Sequence, residues 1–478
     1  MNDKDKEKIK KRFNKNKISF ILITIYSGIC SIADLGVKYY FKDKKLETDK
    51  LAQYTNILTL PYIIRPLIGI LIDTIPIFGY KRKSYLYISF FTNIIFWFIF
   101  LYTKNGELII PLISQIFVNL GLSFTTVIGM AIRVELCKMY DIYKFDDGEK
   151  RNIKNEINDI YFKYRNLSIL ISTLLQGFLM EKYSYNVIFY LCAFFSLFIL
   201  ISAFILKERK ISVRGCIFSN QSRETIYSSF NDEDEEENNK KLCCDEFCQK
   251  NSPIFCQKFH RNFWKIVLPI IDLLCNNNII VLLILILILE ILPSNSSTFF
   301  FYESNYLCLT QKEIGLIDFY SKVFTVIINY IYNFVFGKAN FKCIIFFVKI
   351  FMFLNYSLVY MLVTQITQKY INDYYLIIIT SCLREGLINL GQRPYSLLAT
   401  YYSPKSFEAT TSTLCVGASD LGHYLANQID IFLTQYYNVT NYNFENLGII
   451  IFIENVFVLI QILCITIIFR EFFKEKET

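Results

Sequence analysis

Histidine is nearly absent from this 478-residue chain, which has only His260 and His423. No convergent set of groups suited to holding and passing protons is visible, and no phosphate-cradling nucleotide loop appears, so catalytic residues and cofactors are not expected. A cleavable leader is not expected either: Met1 to Lys17 is strongly basic, and the first apolar run continues as a full-length helix. A secreted disulfide framework is excluded as well. The 14 cysteines are scattered, many of them inside apolar runs.

What the chain has instead is apolar length. It is 53% hydrophobic and 17% aromatic, and many of its runs reach the roughly 20 residues that a bilayer-spanning helix needs. The net charge of +8 would suggest nucleic acid in a soluble protein. Here topology accounts for it, because cations collect in the cytosolic loops of membrane proteins. Nucleic acid is therefore not an expected partner, and the lipid bilayer is.

The pattern predicts an all-α polytopic membrane protein with about twelve transmembrane helices. Residues 1–17 read as an unstructured cytosolic tail. Residues 18–206 form a first six-helix bundle, 207–262 a disordered cytosolic loop, 263–470 a second six-helix bundle and 471–478 a second tail. The first span runs from about Ile18 to Phe41. The second, Leu51 to Ile72, carries Pro61 and Pro66, which should kink it. The seventh is placed at about Ile279 to Asn305. Basic residues in the N-terminal tail and at Lys81–Lys83 put both termini in the cytosol. The central loop contains Cys244-x3-Cys248-x7-Cys256-x3-His260. That spacing fits no standard zinc finger, so a reduced cluster or a lipidation target is the expectation and a metal site is not. Asn438-Val439-Thr440 is a glycan acceptor sequence in an external turn.

One stretch stands out, Leu60 to Tyr85, L-P-Y-I-I-R-P-L-I-G-I-L-I-D-T-I-P-I-F-G-Y-K-R-K-S-Y. Gly69 and Asp73 share a helix face, Gly79 permits a tight turn, and Lys81, Arg82 and Lys83 follow. Such a loop after the second helix resembles that of major facilitator transporters. The inserted I-P-I-F-G-Y-K-R resembles the folate–biopterin transporter family in particular. Ala33-Asp34-Leu35 with the run to Asp43 is similar to that family's A-D-L…Y-(L/F)-K-D. Pro61 to Gly69 resembles its P-W-x-(I/L)-K-P-L-x-G, and Ser403 to Thr410 resembles its C-P-x-G-x-E-A-T turn. In the fourth span relatives read D-V-V-x-D-A, whereas this chain has Thr126 and Met130 at the acidic positions. Only Glu135 keeps its place.

The resemblance implies alternating access by two halves that rock about a central site. It also implies a gating set of Gly69, Asp73, Gly79, Lys81 and Arg82, with the aspartate latching the halves. The expected solute is folate or a related pteridine, carried by what is expected to be a monomer with a proton as coupling ion. The plasma membrane is the default location, with an organelle membrane left open. Another solute on the same fold, such as S-adenosylmethionine or an amino acid, is the alternative.

Ionised groups at mid-bilayer cost several kcal/mol and should face a cavity, a partner or a solute. The candidate substrate-binding residues are Asp34, Arg65, Arg165, Arg384 and Glu385. Arginine would grip the carboxylates of a folate's glutamate tail. Asp34 or Glu385 would accept from the pterin's amino and ring N–H groups, beside an aromatic wall. The competing reading is internal pairing, Arg65 with Asp34 and Arg384 beside Glu385. Glu303, Arg393, Asp430 and Glu454 read as helix-end groups that reach water.

Overall fold

The computed structural model describes residues 3–103, 107–141, 147–208, 210, 277–293, 296–332, 341–401 and 408–472. The central-loop cysteines, His260, the turn residues 402–407 and the C-terminal tail from 473 lie outside the described residues.

Among the described residues every regular element is helical. The first half comprises α1 (Asp3–Ile29), α2 (Ile32–Asp43), α3 (Thr48–Ile57), α4 (Leu60–Ile63), α5 (Arg65–Thr74), α6 (Lys83–Leu101), α7 (Ile109–Asp141), α8 (Asp147–Lys182), α9 (Tyr185–Phe195) and α10 (Leu197–Ile205). The second half comprises α11 (Asn277–Glu290), α12 (Ser296–Phe301), a π-helical turn (Tyr302–Tyr306), α13 (Gln311–Ile331), α14 (Phe341–Val363), α15 (Asp373–Tyr401), α16 (Glu408–Tyr436) and α17 (Leu447–Phe472).

Among the described residues, eight helical segments are long and apolar enough to cross a membrane. The remaining crossings use α8, α11 with α12, α15 and α16. The first of these, α8, and both α15 and α16 carry polar and charged residues along their length, and α11 stops after 14 residues. Large apolar side chains such as Leu67, Phe91, Phe204, Tyr330 and Leu463 point outward, as a lipid-facing surface requires. This is a multi-pass membrane protein.

Helix α1 already begins at Asp3, so the basic tail expected to be unstructured is helical. Its lysines, glutamate and arginine are good helix formers, and their solubility says nothing against a helix.

Several spans are broken. The first breaks at Cys30–Ser31, where Ser31 N–H bonds Gly28 O at 3.3 Å and Ser31 Oγ donates to the same carbonyl at 2.8 Å. The second breaks twice, before Pro61 and before Pro66, and Arg65 and Pro66 then open α5. Proline has no N–H to give, so each break falls where the i→i−4 ladder fails. The seventh breaks after Glu290, and Pro293 lies in the gap. The freed carbonyls there are satisfied from other helices. Gln461 Nε2 donates to the carbonyls of Ile288 (2.9 Å), Leu289 (3.2 Å) and Ile291 (3.0 Å). Lys349 Nζ donates to Leu289 O at 2.7 Å, and Tyr356 Oη donates to Pro293 O at 3.1 Å. Inside a membrane such partners are obligatory.

The two halves meet most extensively along α8 with α13 and α5 with α16, and also where α16 packs on α3, α4 and α7 and where α12 packs on α3. On the first seam Gly177 faces Gly315, and a Cβ added to Gly315 would fall 2.5 Å from the Gly177 Cα. The backbones are therefore in direct contact there.

Candidate functional site

Between the halves lies a cavity of about 440 Å³. That is within the range of small-molecule sites. Asp34, Arg65 and Arg165, three of the five expected substrate-binding residues, line it, with Tyr62, Arg133, Tyr161, Asp420 and His423. Asp34 projects from the start of α2, just past the break in the first span, and its side chain is accessible to the void.

Arg65 does not pair with Asp34. Its Nη1 donates to Asp420 Oδ2 at 3.0 Å, across the seam between the halves, and its guanidinium lies 4.4 Å from the centre of the Tyr62 ring. Asp420 is on α16, packed against α5, whereas Asp34 sits on a different helix. Charge in an apolar run announces that a partner exists, but which helix supplies it depends on how the halves dock.

Arg384 and Glu385 stand apart from this cavity. Glu385 Oε2 is held by Lys322 Nζ at 2.5 Å. Arg384 lines a smaller void of about 110 Å³ inside the second half, with Glu290, Lys349, Tyr356 and His423. His423 borders both cavities, and its Nε2 lies 3.3 Å from Glu290 Oε2.

Three residues read as helix-end groups are buried instead. Glu303 is 9% exposed, Asp430 6% and Glu454 2%. Glu303 lies on the π-helical turn, with Asp318 and Lys38 in its electrostatic surroundings. Asp430 and Glu454 fall inside α16 and α17 rather than at their ends, near Arg384. The Arg393 side chain lies outside the described residues. Lys322 and Lys349 were not among the sequence candidates, although each interrupts an apolar run. Lysine's long stem allows its charge to reach the membrane edge, so position in the sequence alone discriminates poorly.

The gating residues form two sets toward one end of the molecule. Asp73, buried at the last turn of α5, accepts from Thr410 N and Thr410 Oγ1, each at 3.0 Å. Thr410 lies in the first turn of α16, so a carboxylate from one half meets the positive N-terminus of a helix in the other. Gly69, one turn earlier, is buried beside it on α5. Phe78 and Gly79 both have positive φ, 53° and 81°, in a turn closed by Tyr80 N–H to Ile77 O at 3.0 Å. Glycine takes that conformation without steric cost. Glu208 then accepts from the backbone N–H groups of Lys81 (3.0 Å), Arg82 (3.1 Å) and Lys83 (3.1 Å), and the Arg82 side chain pairs with Glu135.

At the opposite end the halves touch again. Asn441 Nδ2 donates to Leu46 O at 3.0 Å, and Gln435 Nε2 donates to Asp49 Oδ2 at 3.2 Å. Gln176 Nε2 donates to Asp318 Oδ2 at 3.2 Å, and Lys312 pairs with Glu181 at 3.2 Å. Asn438 is exposed in the same region, with a φ of 52°.

Two six-helix halves around a central, charge-lined cavity define a membrane protein of the major facilitator type. The crystal structure of a D-xylose–proton symporter superposes with a TM-score of 0.59 at 12% identity, over 96% of this chain and 97% of that one. That of the nucleoside transporter NupG gives 0.55 at 12% identity, over 96% and 98%. The chain belongs to the BT1 family, whose model matches residues 27–478. Among curated proteins, it is 28% identical over 218 residues to folate transporter 2 of Plasmodium falciparum, covering 45% of this chain and 46% of that protein. It is 24% identical over 210 residues to a folate-biopterin transporter of Synechocystis sp., covering 41% and 40%. The matches thus span about half the length of these relatives or less.

Proposed function

We propose that the protein is a secondary transporter that moves folate or a related pteridine across a membrane by alternating access. The observation that carries this reading is the central cavity, where Arg65, Arg165 and Asp34 face a void between two halves that touch at both ends. Family membership and the names of the similar proteins support it. A folate offers a flat ring with amino and N–H donors at one end and two carboxylates at the other. The cavity offers carboxylate, aromatic and guanidinium groups to match. Asp73 on the helix terminus of α16 would break and reform its bonds as the halves rock.

With the termini cytosolic and the plasma membrane as location, entry of a dianion opposes a negative interior potential. Coupling to an inward proton, with Asp34 as carrier, removes that obstacle. The glycan acceptor Asn438 would then face outside. A second reading, a cationic amino-acid-derived solute such as S-adenosylmethionine, is favoured by the accessible carboxylate of Asp34.

Uptake of labelled folic acid and 5-methyltetrahydrofolate into proteoliposomes, with and without an inward proton gradient, tests the proposal. Saturable uptake that the gradient increases is expected. Uptake without gradient dependence would keep the substrate and discard the coupling. No folate uptake by folded protein, with uptake of S-adenosylmethionine, would establish the second reading.

A further inference from the structure

The cavity has a cationic end, Arg133 with Arg165, that the ion pairs described above leave unneutralised. Arg133, on α7, is 5% exposed, and its Nε is buried without a hydrogen-bond partner. Its guanidinium lies 4.9 Å from the centre of the Tyr161 ring, and no carboxylate pairs with it among the described residues. Tyr161 and Arg165 are four apart on α8, on one face, and both line the cavity with Arg133. Arg165 likewise has no ion-pair partner among the described residues. Thr126, Met130 and Arg133 form one face of α7 that lines the cavity and bears no carboxylate. Arg65 differs, because Asp420 already neutralises it.

A guanidinium out of water and without a counter-charge is costly, and an aromatic face offsets only part of that cost. Such a group is stable where an anion comes to it. The acidic pole of the cavity lies elsewhere. Tyr161 stacks on Phe20, with 6.2 Å between ring centres. Asp34 is 14 residues further along the first span, beyond the break at Cys30–Ser31, and so lies toward the other end of the cavity. Trp97, whose Nε1 is buried without a partner, lines the cavity and stacks on Phe189, the ring against which Gly36 of α2 packs.

We propose that Arg133 and Arg165, on either side of Tyr161, bind the paired carboxylates of the solute, which lies lengthwise with its ring system toward Asp34 and Trp97. The proposal rests on the reading of the central cavity as the solute site and assigns its polarity. Arg65 is left to the seam between the halves.

The test is ligand binding to the purified full-length chain, comparing folate with biopterin, which carries a pterin ring and no carboxylate. Arg133→Gln and Arg165→Gln are each expected to weaken folate binding about 10- to 100-fold, the loss of a charge-assisted pair. Biopterin binding should stay within about twofold by the same reasoning, since it makes no such pair. Arg133→Lys, which keeps the charge but not the fork, should fall between. Retained biopterin binding shows that each variant is folded. Equal weakening of both ligands, or no change in folate binding, overturns the assignment. If the wild-type chain binds neither pteridine, the folate reading fails, and glutamate and glutarate then decide the inference. Binding of either dicarboxylate that Arg133→Gln abolishes sustains it, and no dicarboxylate binding by the wild type overturns it.

Discussion

Arg65 and Asp420 are an ion pair between halves, with side chains 13% and 18% exposed. Removing one member of a buried pair strands the other, at about 3–5 kcal/mol in soluble proteins. Asp420→Asn should therefore lower the thermal stability of the purified protein. The exchange Arg65→Asp with Asp420→Arg should restore part of it, because the attraction survives reversal. If the exchange is no better than the single change, the pair contributes by shape rather than charge. In the sequence Arg65 is a solute-binding candidate, with an internal pair to Asp34 as the competing possibility, since it sits in an apolar run. The partner, Asp420, was not legible, because which helix faces Arg65 depends on the docking of α5 on α16. Arg133 illustrates the complementary failure. It lies at the end of an apolar run, where an arginine reaching water is the ordinary expectation, and only its burial shows otherwise.

At the scale of elements, the number and order of the spans were legible, and so were the kinks in the second. Proline marks them, and no tertiary information is needed to know that it cannot donate. The break at Cys30–Ser31 carries no such mark. It depends on serine back-bonding to the Gly28 carbonyl. The break after Glu290 requires support from elsewhere, and the two N–H donors of Gln461 Nε2 are shared among three of its carbonyls. Gln461→Leu keeps the volume and removes the donors, so it should destabilise the fold by about 1–3 kcal/mol for carbonyls left unmet. A thiol-reactive dye melt would report this as a lowered midpoint; an unchanged midpoint would mean that Lys349 alone suffices. The α8–α13 seam gives a graded prediction. A Cβ at Gly315 would meet Gly177 Cα at 2.5 Å, whereas one at Gly177 would meet Gly315 Cα at 3.1 Å. Gly315→Ala should therefore reduce uptake more than Gly177→Ala at equal surface expression. The reverse order would contradict the close approach described here.

At the scale of the whole molecule, the halves are joined at one end by the Asp73–Thr410 bonds and at the other by Asn441–Leu46 and Gln435–Asp49. A rocking transporter must release each set in turn. Asp73→Ala removes two charge-assisted acceptances and should shift the population toward the form open at the Asp73 end by about tenfold or more, with slower uptake. Distances between spin labels flanking that seam would show it, and an unmoved distribution would exclude a latch. The far end allows the converse. Asp49→Cys and Gln435→Cys, in a background with the native cysteines replaced, place two thiols across the seam where the native side chains are bonded. A short cleavable cross-linker between them should stop uptake while leaving solute binding intact, because the cavity lies between the joined ends. Cleaving the linker should restore uptake. Uptake that continued with the ends tied together would mean that the solute passes without the halves parting there, and the two-ended hinge would have to be abandoned.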